Sequence, residues 1–123
     1  MKKLLIPSIF FVLLISFSFA QKPYKVVFYN LENFFDTIND PEVLDDEFTP
    51  DGPKKWNTAK YNKKLNNTER VLFDIAAIDK NYPIVIGVSE VETRGVLEDI
   101  VATPKLAPAN YRIAHFDSPE ARG

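Results

Sequence analysis

The chain has no cysteine among its 123 residues. No disulfide can therefore staple it, even in an oxidising compartment, and no thiol is present to carry a lipid. An excess of charge of one sign is also missing. Fifteen basic side chains stand against 17 acidic ones, a net charge of −2, which excludes the global basic field that draws proteins to nucleic acid. Any grip on a polyanion must be local or carried by a metal. Nor is there a long uninterrupted apolar run. A spanning helix needs about 20 apolar residues, and the one candidate, from Leu4 to Ala20, is broken by Pro7, Ser8, Ser16 and Ser18.

That first segment has another pattern. Lys2 and Lys3 precede the apolar run, and Ser18-Phe19-Ala20 places small residues where a signal peptidase reads, with Gln21 as the new terminus. Residues 1–20 are expected to be a signal peptide. The protein is then exported, to the periplasm or the extracellular space, with no stable membrane anchor after cleavage. Residues 21–123 suffice for one small domain.

Residues 24–30 (YKVVFYN) are β-branched and aromatic and predict a first strand. Residues 31–56 are acidic and rich in turn formers, among them Asn39-Asp40-Pro41 and Thr49-Pro50-Asp51-Gly52-Pro53, and predict a long loop. A helix is predicted over 58–79. Tyr61, Leu65, Thr68, Leu72, Ile75 and Ile78 form its apolar stripe, with Lys60, Lys63, Lys64, Asn67 and Arg70 on the wet face. Residues 84–88 (IVIGV) predict a strand buried on both faces. Val96, Leu97, Ile100 and Val101 predict a short helix ending near Thr103-Pro104, and residues 111–116 a last strand. This order describes a layered α/β domain.

A strand, a helix and a strand form a crossover unit, which makes the two strands parallel and puts their carboxyl ends on one edge. Open α/β sheets bind ligands at that edge. Asn30 and Glu32 follow the first strand; Ser89, Glu90 and Glu92 follow the second. By alternation Val26, Phe28 and Asn30 share one face, as do Ile86, Val88 and Glu90. A carboxylate there suits a hard cation such as Mg²⁺, which needs only one or two carboxylates besides water and phosphate oxygens. An Asn can donate to a phosphate oxygen while accepting from a metal-bound water. The plainer alternative makes Glu90 a solvated strand end and Asn30 a turn residue.

The stretch Val26-Val27-Phe28-Tyr29-Asn30-Leu31-Glu32-Asn33, paired with Pro83-Ile84-Val85-Ile86-Gly87-Val88-Ser89-Glu90-Val91-Glu92, resembles the start of the endonuclease/exonuclease/phosphatase superfamily. That superfamily includes deoxyribonucleases, apurinic endonucleases, inositol-phosphate phosphatases and sphingomyelinases. Asn30 matches the end of its first motif strand and Glu90 its metal-binding Glu; Ser89 stands where a Gln is usual. The acidic insertion with Thr49-Pro50, Trp56 and Tyr61 is similar to a secreted bacterial branch. The resemblance implies a four-layer αββα sandwich, of which this chain supplies the N-terminal portion. It also implies a phosphodiester substrate, either nucleic acid or a smaller phosphoester, and a Mg²⁺ or Mn²⁺ cofactor. Asn30 and Glu90 are then the catalytic and metal-binding residues. The superfamily's later motifs (a catalytic His, an Asp-x-Asn pair and a final Asp-His) are absent. The sequence is thus expected to be a fragment, inactive and marginally folded alone. A non-catalytic secreted binding module on the same scaffold is the alternative.

Other residues are given structural readings. His115 falls within the last strand. Asp45, Asp46 and Glu47 fit no regular calcium loop and are expected to be a solvated acidic stretch. Trp56 is expected to anchor packing. Glu92 and Arg94 are expected to pair with each other, supporting the site or merely on the surface. Asn66-Asn67-Thr68 has the form of a glycosylation acceptor but falls mid-helix.

Overall fold

The computed structural model describes residues 23–116; the expected signal peptide, its cleavage point and the tail after Phe116 lie outside them. The elements run β1 (Val26–Phe34), a 3-10 turn (Asp46–Phe48), α1 (Thr58–Ala77), β2 (Val85–Val91), α2 (Arg94–Ala102) and a second 3-10 turn (Ala107–Ala109). β1 and β2 pair in parallel, Val26 with Val85 and Tyr29 with Val88, as the crossover rule requires. The result is a helix layer on a sheet layer, a small α/β arrangement.

Each helix starts on a side-chain cap. The Asn57 side chain accepts from Lys60 N, and Thr93 Oγ1 accepts from Val96 N, each satisfying a donor that the first turn leaves without a helical partner. α1 stops at Ala77, two residues before the expected end, because the chain turns left-handed at Lys80 (φ 60°). Asn81 N then reaches back to Ala76 O, a common way of closing a helix. Ile78 is consequently not part of the apolar stripe: it lies beyond the last turn and is 81% exposed.

Leu31 and Phe34 of β1, Tyr61 and Leu72 of α1, Val96 and Ile100 of α2, and Leu106 form the buried core, with Val27, Tyr29, Ile86 and Val88 packed against it. The opposite face of the sheet is bare: Val26, Phe28 and Val85 are 67%, 74% and 53% exposed. The expectation that residues 84–88 are buried on both faces is thus corrected. Both helices lie on one side, and none of the described residues covers the other. The last strand is corrected as well. Residues 111–116 belong to no sheet. Tyr111 is tethered instead by its side chain, whose hydroxyl donates to Pro83 O at 2.8 Å, and a cleft of about 770 Å³ lies between this segment and β2. Among the described residues no helix is long and apolar enough to cross a membrane.

Lys25, just before β1, ties the sheet to the end of α1. Its ammonium donates to Ile75 O at 2.6 Å, Asp79 Oδ1 at 2.6 Å and Asn81 O at 3.1 Å, placing a cation where the helix dipole favours one. The hydrogen bond from Lys25 holds the Asp79 carboxyl below its ordinary value of 3.8. A carboxyl depressed in the folded state stabilises above its unfolded pKa and loses that contribution as pH falls through the folded value. Asp79→Asn is therefore expected to flatten the acid limb of stability below about pH 4. Thermal midpoints of the two proteins measured across the acid range check this; parallel curves would refute it.

Candidate functional site

The ladder is regular up to Asn30 opposite Ser89, then breaks and resumes at Phe34 opposite Val91. β1 spends four residues where β2 spends two, so the surplus must bulge. The bulge carries two consecutive left-handed residues, Glu32 (φ 55°) and Asn33 (φ 59°), and across from them Glu90 is left-handed as well (φ 57°). Such backbone disfavours L-residues other than Asn and Gly and tends to gather at functional positions.

The bulge gathers polar groups. Asn30 Nδ2 donates to Glu90 Oε1 at 2.9 Å, and Asn33 N donates to Glu90 Oε2 at 3.1 Å. Asn30 Oδ1 accepts from Glu32 N at 2.7 Å. Each carboxylate oxygen of Glu90 thus takes one protein donor and keeps further lone pairs for solvent, to which the side chain is exposed. The two residues singled out by topology are in direct contact. The alternation argument for that contact needs correction. Asn30 pairs with Ser89 and shares its face, whereas Ile86 and Val88 face the core with Val27 and Tyr29. It is at the bulge that Glu90 leaves this alternation.

Lys64 approaches the bulge from α1. Its ammonium donates to Glu32 O at 2.7 Å and Asn33 O at 3.3 Å, 5.3 Å from the Phe34 ring centroid and 5.6 Å from that of Trp56. It is half-buried, not on the wet face. Burial pulls its pKa down, while the Glu32 and Glu90 carboxylates pull it up. The signal was available: Lys64 lies one turn from Tyr61 and Thr68, on their side of the helix.

Glu92 fixes the next stretch of chain. Its nitrogen donates to Phe34 O at 3.1 Å and its Oε2 accepts from Asp36 N at 2.8 Å. Burial pushes the Glu92 carboxyl up to about 7 against the pull of the Asp36 N–H, and the Asp36 and Asp45 carboxylates push the same way as burial. Glu92 therefore does not pair with Arg94, whose Nε donates to Glu98 Oε1 at 2.8 Å within α2. Asp45, expected to be solvated, is 1% exposed. Its Oδ2 accepts from Asp40 N at 2.9 Å, so it serves as an internal staple of the loop. Trp56 anchors packing as expected: its indole donates to Phe35 O at 2.9 Å, and Phe35 stacks on Phe48 at 4.0 Å.

A family model described as Endonuclease/Exonuclease/phosphatase family matches residues 25–123. The chain belongs to that family. No curated protein and no solved structure matches it. Membership in the endonuclease/exonuclease/phosphatase family places the chain among hydrolases of phosphodiesterase, nuclease or phosphatase type. Enzymes of this family typically use divalent metals. Among the described residues no group of three or more His, Cys, Asp or Glu side chains could hold a metal ion. One rigidly held carboxylate still fits Mg²⁺, which dehydrates reluctantly and retains several waters.

Proposed function

We propose that this chain carries the Asn30–Glu90 part of an exported, divalent-metal-dependent phosphodiesterase of nuclease type, with residues 1–20 as signal peptide and 21–123 as the N-terminal part of the catalytic domain. The observation that carries this reading is the Glu90 carboxylate, which is exposed and held by one donor on each oxygen at the carboxyl edge of a parallel sheet. In this reading Glu90 binds Mg²⁺ or Mn²⁺ through an outward lone pair. The metal supplies Lewis acidity towards a phosphoryl oxygen. Asn30 keeps the carboxylate from rotating and offers its second amide hydrogen to a phosphate oxygen. The left-handed backbone at Glu32, Asn33 and Glu90 holds these groups in place before substrate arrives, which is where electrostatic catalysis gains most. The net acidic chain leaves substrate attraction to the metal and to local groups.

The test is made on the exported product. Expressed with its own first residues in a bacterial host, the protein should be recovered outside the cytoplasm beginning at Gln21. Titrated with Mn²⁺ and followed by electron paramagnetic resonance, it should show one site, and Glu90→Gln should weaken it by more than the roughly 10 to 100-fold that loss of a ligand's hydrogen-bonding partner costs. Equal Mn²⁺ binding by the two proteins would rule out Glu90 as the ligand.

A further inference from the structure

We propose that Lys64 is a positioning residue for the metal-binding carboxylate: by holding the carbonyls of Glu32 and Asn33 it fixes the left-handed bulge whose N–H groups orient Asn30 and Glu90. The proposal rests on the reading of Glu90 as a metal ligand and adds a residue on a different element.

The geometry is that of a clamp with two sides. On one side Glu32 N donates to Asn30 Oδ1 and Asn33 N donates to Glu90 Oε2. On the other, the carbonyls of the same two residues both accept from Lys64 Nζ. A left-handed pair of non-glycine residues is costly and persists only where its surroundings over-determine it. Here the over-determination is visible. Lys64 brings three donors on a compact ammonium, and its stem extends from a regular stretch of α1. Its head lies near two aromatic rings, which favour a cation. Release of the carbonyls frees the two peptide units to rotate, and rotation of Asn33 removes one of the two donors to Glu90.

Electrostatics alone predicts the opposite effect on metal binding, which makes the proposal easy to separate from a simple charge effect. A cation near Glu90 repels a second cation, so removing it would tighten Mn²⁺ binding. Positioning predicts weaker binding instead. The whole exported chain is prepared as wild type, Lys64→Met, Lys64→Gln and Lys64→Arg, with Glu90→Gln as reference. Lys64→Met is expected to weaken Mn²⁺ binding about tenfold, within the range seen when a partner of a metal ligand is lost, and Lys64→Arg to restore most of it. A second readout needs no metal: amide hydrogen exchange at Asn33 should accelerate in Lys64→Met while Val27, in the regular ladder, keeps its wild-type rate. Unchanged or tighter Mn²⁺ binding with unchanged exchange at Asn33 would overturn the proposal. Uniformly faster exchange at Asn33 and Val27 would overturn it too, by making Lys64 a general stabiliser. If wild type and Glu90→Gln bind Mn²⁺ alike, the metal reading fails, and exchange at Asn33 still decides whether Lys64 holds the bulge. If Lys64→Met does not fold, Lys64→Gln provides both readouts.

Discussion

In a polypeptide that carries this sequence within the complete family domain, Glu90→Ala should reduce metal-dependent phosphodiester cleavage by about 10²–10³-fold or more, the scale on which one preorganised electrostatic contact to a transition state is felt. Three losses combine. The carboxylate that binds the cation is gone, Asn30 Nδ2 and Asn33 N lose their acceptor, and the amide of Asn30 is free to turn away from a phosphate oxygen. Glu90→Gln separates the losses in part: it removes the charge, its one amide oxygen still accepts one of the two hydrogen bonds, and its NH2 meets the other donor. Its bulge should survive while its metal affinity falls. The ratio of activity to metal occupancy, measured for both variants across a Mg²⁺ titration, checks this. Full turnover by Glu90→Ala at saturating Mg²⁺ would exclude Glu90 from the reaction.

Phe34→Ala should have the largest effect on the fold. Phe34 is completely buried, its ring lies 5.3 Å from that of Tyr61, and its carbonyl accepts from Glu92 N. Replacing a buried Phe by Ala costs about 3–5 kcal/mol, against a total stability of about 5–15 kcal/mol for an ordinary domain. A domain this small has its midpoint lowered by about 4–8 °C for each kcal/mol lost. The variant is therefore expected either to lose its cooperative transition or to melt at least 12 °C lower by roughly that arithmetic. Phe34→Leu, which keeps most of the volume, should cost only about 1–1.5 kcal/mol. Thermal unfolding of the three proteins under one buffer gives the comparison, and a Phe34→Ala midpoint within a few degrees of wild type would contradict it.

The pairing of the strands, the helix between them and the placing of Asn30 and Glu90 at one sheet edge were legible in the sequence because each follows from periodicity and the handedness of a crossover. The geometry of their meeting was not. Alternation along a strand assumes regular backbone, and three residues on the two strands break it here: Glu32, Asn33 and Glu90 are left-handed, although neither glutamate is a residue type that announces this. The same limit applies to Asp45 and Glu92. Their burial depends on a loop folding back over the end of β1, and a composition rich in acid and turn formers says only that the loop exists. Residues 111–116 show the converse. Their strand pattern is real, but a strand becomes part of a sheet only when another backbone lies beside it, which no local pattern supplies.

Asn30 and Glu90 stand 60 residues apart in the chain, and every contact that joins β1 to β2 spans a similar separation. α1, by contrast, is held by hydrogen bonds four residues long and can form on its own timescale, well before distant strands meet. Whatever route folding takes, the Glu90 carboxylate acquires its partners only when that large loop closes. The helical signal in circular dichroism reports the helices and not the meeting of the two strands. Helicity and the Asn30–Glu90 contact report different events in the life of this chain, and neither can stand in for the other when its variants are compared.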